Sequence, residues 1–439
     1  MIKNKRFDHR QVLRLALPMI LSNISTPLLG LVDTAVLGHL QSENYLAAVA
    51  LGGLIFSFIF WGFGFLRMGT TGLTAQAFGE DIKAEVNAVL GRALIVALII
   101  SSLLILLRPY IATISFSLLQ SSEIVERYAL QYFEIRVLSA PATLCLYALM
   151  GWFLGQQKVK IPLLIVICSN LINISLDLWF VYYLNMQVEG VALATVIAEY
   201  IGLAIALIVA VRIVQKDKNP KGWVELRNIS QFKAMLVINS HIFVRTWCVI
   251  FAFAFFTAQA SKLGGVVLAA NTVLLNFQTF MAYALDGFAH AAEALVGKAM
   301  GARNRLMLKQ AIATSALWSF VIAVVFSIIY FIFGQQIINL LTSLQNVRLI
   351  AYDYLSWLVI LPLVSFVCYL LDGVFIGAML SKQMRNTMLL SLFCVFLPVW
   401  YHTQDRGNEG LWLAMTAFML ARSVSMIFVL KNNSLLEKH

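Results

Sequence analysis

The sequence predicts an all-α polytopic membrane protein, with twelve transmembrane helices in two six-helix lobes related by a pseudo-twofold axis. Three observations carry that prediction. The 439 residues are 61% hydrophobic and only 12% charged, far too apolar for a soluble fold of this length. Apolar stretches long enough to span a bilayer recur at about 11–40, 46–74, 88–118, 126–155, 160–184, 188–214, 232–264, 266–299, 308–334, 347–380, 383–404 and 408–431. Finally, the two halves repeat each other. At one constant offset of 222 residues, Leu46-Ala47-Ala48 falls on Leu268-Ala269-Ala270, Gly79 on Gly301 and Tyr132 on Tyr354. At the same offset Tyr147, Leu149, Gly151, Phe153 and Gly155 fall on Tyr369, Leu371, Gly373, Phe375 and Gly377. Shared glycines and tyrosines on one ungapped offset point to a duplication.

The basic stretch Met1–Arg10 is like the start of a signal peptide, but the apolar run after it is about 30 residues long and lacks a small-residue cleavage pattern. It reads as a retained first helix. No charged residue occurs from Leu15 to Val32; then Asp33 appears before the segment ends. An aspartate at a helix centre costs about 2.5–3.5 kcal/mol to insert. Asp33 therefore reads as a functional acid facing protein or a water-filled interior, against the blander reading of an acid hydrated at the surface. Pro18 and Pro27 each remove a backbone hydrogen bond from this helix, which permits bending or a static kink.

The net charge of +11 invites an anionic partner such as nucleic acid, but its distribution reads as topology. Alternate connections are rich in Lys and Arg, from Lys3, Lys5, Arg6 and Arg10 through Lys158 and Lys160 to Lys382, Arg385 and Lys431. The other connections hold about five basic residues, Arg127, Lys262, Arg348 and Arg406 among them. The basic side is expected to be cytoplasmic, with both termini inside and no nucleic-acid partner. Residues 215–231, with Pro220, Gly222 and flanking basic residues, read as a cytoplasmic linker between an N-lobe, 1–214, and a C-lobe, 232–431, followed by a 432–439 tail. A basic segment beside the membrane also suits anionic lipid headgroups. The five cysteines, Cys145, Cys168, Cys248, Cys368 and Cys394, are single and have no metal-ligand spacing, so they read as packing residues; no metal or cofactor is expected.

Counting at 1.5 Å per residue from the helix ends puts Asp33, Asp177 and Thr195 all roughly 10 Å below one surface. Asn170, Asn173 and Asp177 follow an i, i+3, i+7 pattern and form one polar stripe on the fifth helix; Asn23, Thr26, Gly30 and Asp33 form another on the first. Two polar stripes in apolar segments are best satisfied by facing each other. The pair suits a proton site, because burial and a like-charged neighbour both favour the protonated carboxyl; a purely structural hydrogen-bonded seam is the alternative. The second half lacks this group: Phe255 or Phe256 stands opposite Asp33, Leu397 opposite Asp177 and Met415 opposite Thr195. Asp286, Glu293 and Asp372 supply a second set of buried acids, either a second cation site or an ion-pair network with Arg245 or Lys298. Arg67 is expected to reach the surface or pair with Glu199, and Glu134 and Arg136 to find partners elsewhere. Asn170, Met68, Met150, Phe153 and Tyr200 offer an adaptable wall for a substrate cavity, or ordinary membrane packing.

The stretches Leu15–Ile20, Val32–Ala35, Phe65–Gly79 and Leu371–Ala378 resemble the multidrug and toxic compound extrusion (MATE) family, in its DinF-like branch, and the resemblance covers essentially the whole chain. It implies two six-helix lobes that export organic compounds in exchange for protons or sodium across the bacterial cytoplasmic membrane. It places coupling on Asp33, Asn173, Asp177 and Thr195, with Pro18 as the bending point of the first helix. Another branch of the family couples through second-lobe carboxylates; here Asp372 is present in the tenth helix but the seventh has no acid. A proton antiporter is the expectation, with a sodium-coupled exporter or a lipid or lipid-linked flippase as alternatives. Organic small molecules, the coupling cation and membrane lipids are its expected partners, and a monomer its expected state. No motif points to an enzyme.

Overall fold

The computed structural model describes residues 8–38, 43–119, 122–216 and 228–432; the side chains of 26–38 and 43 lie outside the described set. All regular structure among the described residues is helical, as a chain that must satisfy its own backbone polar groups in lipid requires. Helix α1 covers His9–Gly38 and runs unbroken through Pro18 and Pro27. Eleven further helices are long and apolar enough to cross a membrane. They are α2 Asn44–Gly79, α3 Lys83–Leu106, α4 Glu123–Gly155, α5 Lys160–Tyr183, α6 Val188–Lys216, α7 Ile229–Lys262, α8 Gly265–Gly301, α9 Arg305–Leu341, α10 Gln345–Gly377, α11 Ser381–Arg406 and α12 Asn408–Asn432. A short helix, Arg108–Leu119, continues α3. A helix stands at each of the twelve expected spans; most ends shift by a few residues, while the expected 88–118 is divided at Leu107.

The helices gather into two contact units. The N-unit is Leu21–Met235; the C-unit is the chain up to Ile20 together with Leu236 onward. The lobes read from the sequence thus exchange their opening turns: the start of α1 belongs to the C-unit and the start of α7 to the N-unit. Within the C-unit Gly287 of α8 lies against Ile20 and the Ala16 carbonyl, and within the N-unit Met235 packs with Ala93 and Ala148. Residues 217–227 of the expected linker and 433–439 of the expected tail lie outside the described residues.

In the N-unit α4 is central, packed by α2 along both of its halves and by α3 and α6, while α5 pairs with α6. In the C-unit α10 holds the equivalent place between α8, α9 and α12. The duplication is visible atom by atom. A Cβ on Gly151 or Gly155 would stand closer than 3.0 Å to the Arg67 or Thr71 carbonyl oxygen; on Gly373 or Gly377 it would meet the carbonyls of Ala289 or Glu293 as closely. Every one of these pairs is offset by 222. The helix ends repeat too. α2 closes with Ile82 N–H donating to Ala77 O at 3.1 Å around Asp81 at φ 61°, and α8 with Asn304 N–H donating to Ala299 O at 3.0 Å around Arg303 at φ 49°. α4 and α10 close the same way around Gln157 and Met379, at φ 63° and 57°. Left-handed non-glycine residues are uncommon, so four of them at matching positions mark an inherited backbone.

α4, α5 and α11 carry irregularities that the apolar pattern does not signal. α4 is α-helical to Arg136, turns as a 3-10 helix at Val137–Ser139 and resumes at Ala140 with Pro141 in its first turn. α5 passes into a π-helical turn at Trp179–Tyr183, directly after Asp177 and Leu178, and α11 has another at Ser391–Phe396.

Candidate functional site

The polar stripe of α5 faces α1. Asn170 Nδ2 donates to the Ser25 backbone carbonyl at 3.3 Å, which joins α5 to α1 within the N-unit. Two turns along α5, Asn173 and Asp177 are enclosed, at 1% and 0% exposure. A carboxylate so deeply buried needs a donor, and this fixes the Asn173 amide. Its Nδ2 donates to Asp177 Oδ2 at 2.9 Å, and its Oδ1 accepts from the Thr195 backbone N–H of α6 at 3.2 Å. The Thr195 hydroxyl lies 3.2 Å from the same amide and donates to the Val191 carbonyl at 2.9 Å. α6 comes this close to α5 because Gly202 lies where a Cβ would collide with Ser169 Oγ. Asn173, Asp177 and Thr195 therefore form one hydrogen-bonded group, tied to α1 through Asn170. The side chains of Asp33 and Pro27, with that of Thr26, lie outside the described residues. Pro18 is half-buried and leaves the Arg14 carbonyl without its helical donor, next to the Ala16 and Ile20 contact with Gly287.

The residues proposed for a cavity wall have mixed surroundings. Phe153 is fully enclosed in a packing cluster with Leu149, Trp152, Ile165 and Ala206, and half-buried Met150 packs against that cluster. Met68 is half-buried. Tyr200 is 41% exposed, and its hydroxyl donates to the Leu138 carbonyl at 2.9 Å.

The second-lobe acids have different partners. Asp372 Oδ2 accepts from Arg245 and, at 2.8 Å, from Arg422 of α12. The Arg422 guanidinium lies over the Tyr369 and Phe418 rings at 6.0 and 5.6 Å. Glu293 is buried with His290 Nδ1 3.6 Å away, and Asp286 is half-buried within electrostatic reach of Tyr369 and Arg422. Arg422 was absent from the sequence reading, although an arginine inside an apolar span is itself a signal. Glu199, one of the two expected destinations of Arg67, accepts from Arg136 at 2.7 Å and from the Thr143 hydroxyl.

Comparison with known proteins agrees with this architecture. The MatE family model matches the chain twice, over residues 18–179 and 242–401, one match in each half. DNA damage-inducible protein F of Escherichia coli (strain K12) is 43% identical over 417 residues, covering 94% of this chain and 90% of that protein. The probable multidrug resistance protein NorM of Thermotoga maritima is 24% identical over 441 residues, covering 96% and 92%. Among solved structures, a MOP superfamily transporter from Pyrococcus furiosus superposes with a TM-score of 0.87 at 21% identity, over 99% of this chain and 98% of that one. With a doubled family match over most of its length and a relative at this level of identity, the chain belongs to the MATE family of multidrug efflux transporters, on its DinF-like branch.

Proposed function

We propose that the protein is a proton-coupled antiporter that exports organic compounds by alternating access, with Asp33, Asn173, Asp177 and Thr195 as its coupling group. One observation carries this reading: a fully enclosed carboxylate whose partner is an amide able to serve either protonation state. When Asp177 is ionised, Asn173 donates to it and accepts the Thr195 N–H. When Asp177 is protonated, its O–H needs an acceptor. A half-turn of the amide supplies one, because Oδ1 then faces Asp177 and Nδ2 turns to the Thr195 hydroxyl. A single proton thus reverses the hydrogen-bond pattern between α5 and α6. The Asn170 bond to Ser25 carries the change to α1, and the missing backbone bonds at Pro18 and Pro27 let that helix bend.

In the cycle, protons from outside load the Asp33 and Asp177 carboxylates, α1 bends and substrate leaves outward. Deprotonation toward the cytoplasm resets the site. Coupling requires that substrate and the protonated acids favour different states. The Lys- and Arg-rich connections support a bacterial cytoplasmic membrane with both termini inside. The two arginines on Asp372 argue against coupling through the second lobe, since they already neutralise that carboxylate.

The test is dye transport in proteoliposomes, with pH and sodium gradients imposed separately on wild type, Asp33→Asn and Asp177→Asn. Transport driven by the pH gradient is expected to fall ~100-fold or more in both variants, with wild-type elution on size exclusion. Sodium-driven transport that survives both substitutions would sink the proposal.

A further inference from the structure

The break in α4 has no counterpart in the second copy. At the offset of 222, Val137–Ser139 falls on Val359–Leu361, inside a helix that runs unbroken from Gln345 to Gly377 in spite of Pro362. Proline content therefore does not decide which helix breaks. What distinguishes α4 is a set of side chains at the break and on α6. Arg136, the last α-helical residue before the break, donates Nη2 to Glu199 Oε1 at 2.7 Å and Nη1 to Ser139 Oγ. Thr143, beyond the break, donates its hydroxyl to Glu199 Oε2. Tyr200 donates to the carbonyl of Leu138, inside the break, at 2.9 Å. The Arg136 guanidinium is further held over the Phe56 and Phe60 rings of α2, at 5.5 and 5.4 Å. When Glu189-Gly190 is aligned on Glu409-Gly410, Glu199 and Tyr200 fall on Met419 and Leu420, and Arg136 falls on Leu358 at the 222 offset. None of these can make the same bonds.

Glu199 also stands four residues after Thr195, so the two lie on one face of α6 about 6 Å apart. The turn of α6 that grips the break is continuous with the turn that meets Asn173.

We infer that Arg136, Thr143, Glu199 and Tyr200 form a clasp over the break in α4 that fixes the rotation and height of α6 at which Thr195 meets Asn173. They are positioning residues for the coupling group, and the inference rests on the reading of Asp177, Asn173 and Thr195 as that group. The Asn173 contacts to Thr195 are 3.2 Å long, near the limit of a useful hydrogen bond, so a small slip of α6 releases them. An amide that has lost its Thr195 partner donates less firmly to ionised Asp177, and the protonated form gains. The other ionisable side chains that face the Arg136 and Glu199 pair are Tyr132 and Tyr147 on α4, and Arg67 on α2 acts on Tyr147.

The experiment is the pH profile of transport in proteoliposomes for Glu199→Gln, Arg136→Gln, Thr143→Val, Tyr200→Phe and the Arg136→Gln/Glu199→Gln double variant. Each single variant is expected to move the midpoint to higher pH, by about 0.5 unit or more for the charged pair. The double variant should move it no further than the larger single effect, and Glu199→Asp should restore part of it. A residue that merely supports the fold would lower the melting temperature and leave the midpoint in place; wild-type midpoints in folded variants overturn the clasp. If the charged variants fail to fold, Thr143→Val and Tyr200→Phe, each lacking one hydroxyl, decide by the same midpoint. Asp177→Asn runs alongside as the control on the coupling reading. If it retains wild-type pH dependence, that reading fails and takes the clasp with it; if it loses coupling while the clasp variants keep their midpoint, only the clasp fails.

Discussion

In the N-unit, Gly155 of α4 rests on the carbonyl of Thr71; in the C-unit, Gly377 of α10 rests on that of Glu293. The helix ends nearby are closed by the same hydrogen bonds around left-handed residues, Asp81 and Gln157 in one unit, Arg303 and Met379 in the other. The polar residues between these shared points are not shared. Asp177 of the N-unit is held by a neutral amide, whereas Asp372 of the C-unit is held by two arginines. At the repeat spacing, Asp372 corresponds to Met150 and Arg245 to Asn23. Duplication fixed the backbone, through contacts in which a single extra carbon would collide. It left the side chains of facing helices free to become an acid held by an amide in one copy and an acid held by two arginines in the other.

Breaking the ion pair should give the largest effect on stability. Asp372→Leu leaves Arg245 and Arg422 buried without their anion and should cost about 3–5 kcal/mol, read as a lower unfolding midpoint in detergent. The pH profile of whatever protein folds should stay that of the wild type. A variant that melts normally and loses coupling would reverse the roles assigned to the two units.

The shared glycine contacts come next. Gly155→Val and Gly377→Val should each destabilise by about 1–3 kcal/mol through overpacking, and by similar amounts. A large cost at one and none at the other would mean that the interfaces have drifted apart since duplication. The smallest effect belongs to the helix ends: Asp81→Gly and Arg303→Gly should each stabilise by about 0.5 kcal/mol, because relief of the left-handed backbone is partly offset by the freedom glycine loses on folding. Opposite signs at the two positions, measured by the same unfolding midpoint, would place the strain in the surroundings and not in the helix cap.

Features that repeat along one helix were legible in the sequence. Spans follow from apolar length, the duplication from a single offset, and the α5 stripe from the spacing of Asn170, Asn173 and Asp177. Residues that meet only because helices pack were not. Arg422 reaches Asp372 across 50 positions, and Arg136 reaches Glu199 across 63. Local composition did not mark the broken helix either, since Pro362 sits inside an intact α10 while the turn in α4 precedes Pro141. Phe153 illustrates the same limit in an apolar residue: its type suited a cavity wall or ordinary packing, and its neighbours make it core.

The exchange of opening turns between the units bears on how the chain is assembled during synthesis. The first turns of α1 leave the ribosome before α8, yet the glycine they pack against, Gly287, belongs to α8. The N-unit in turn waits for Met235, from the start of α7, to fill its place beside Ala93 and Ala148. A chain cut between α6 and α7 would leave each fragment without a piece held by the other. The opening of α1 meets this neighbour only after the helices between α1 and α8 have been made.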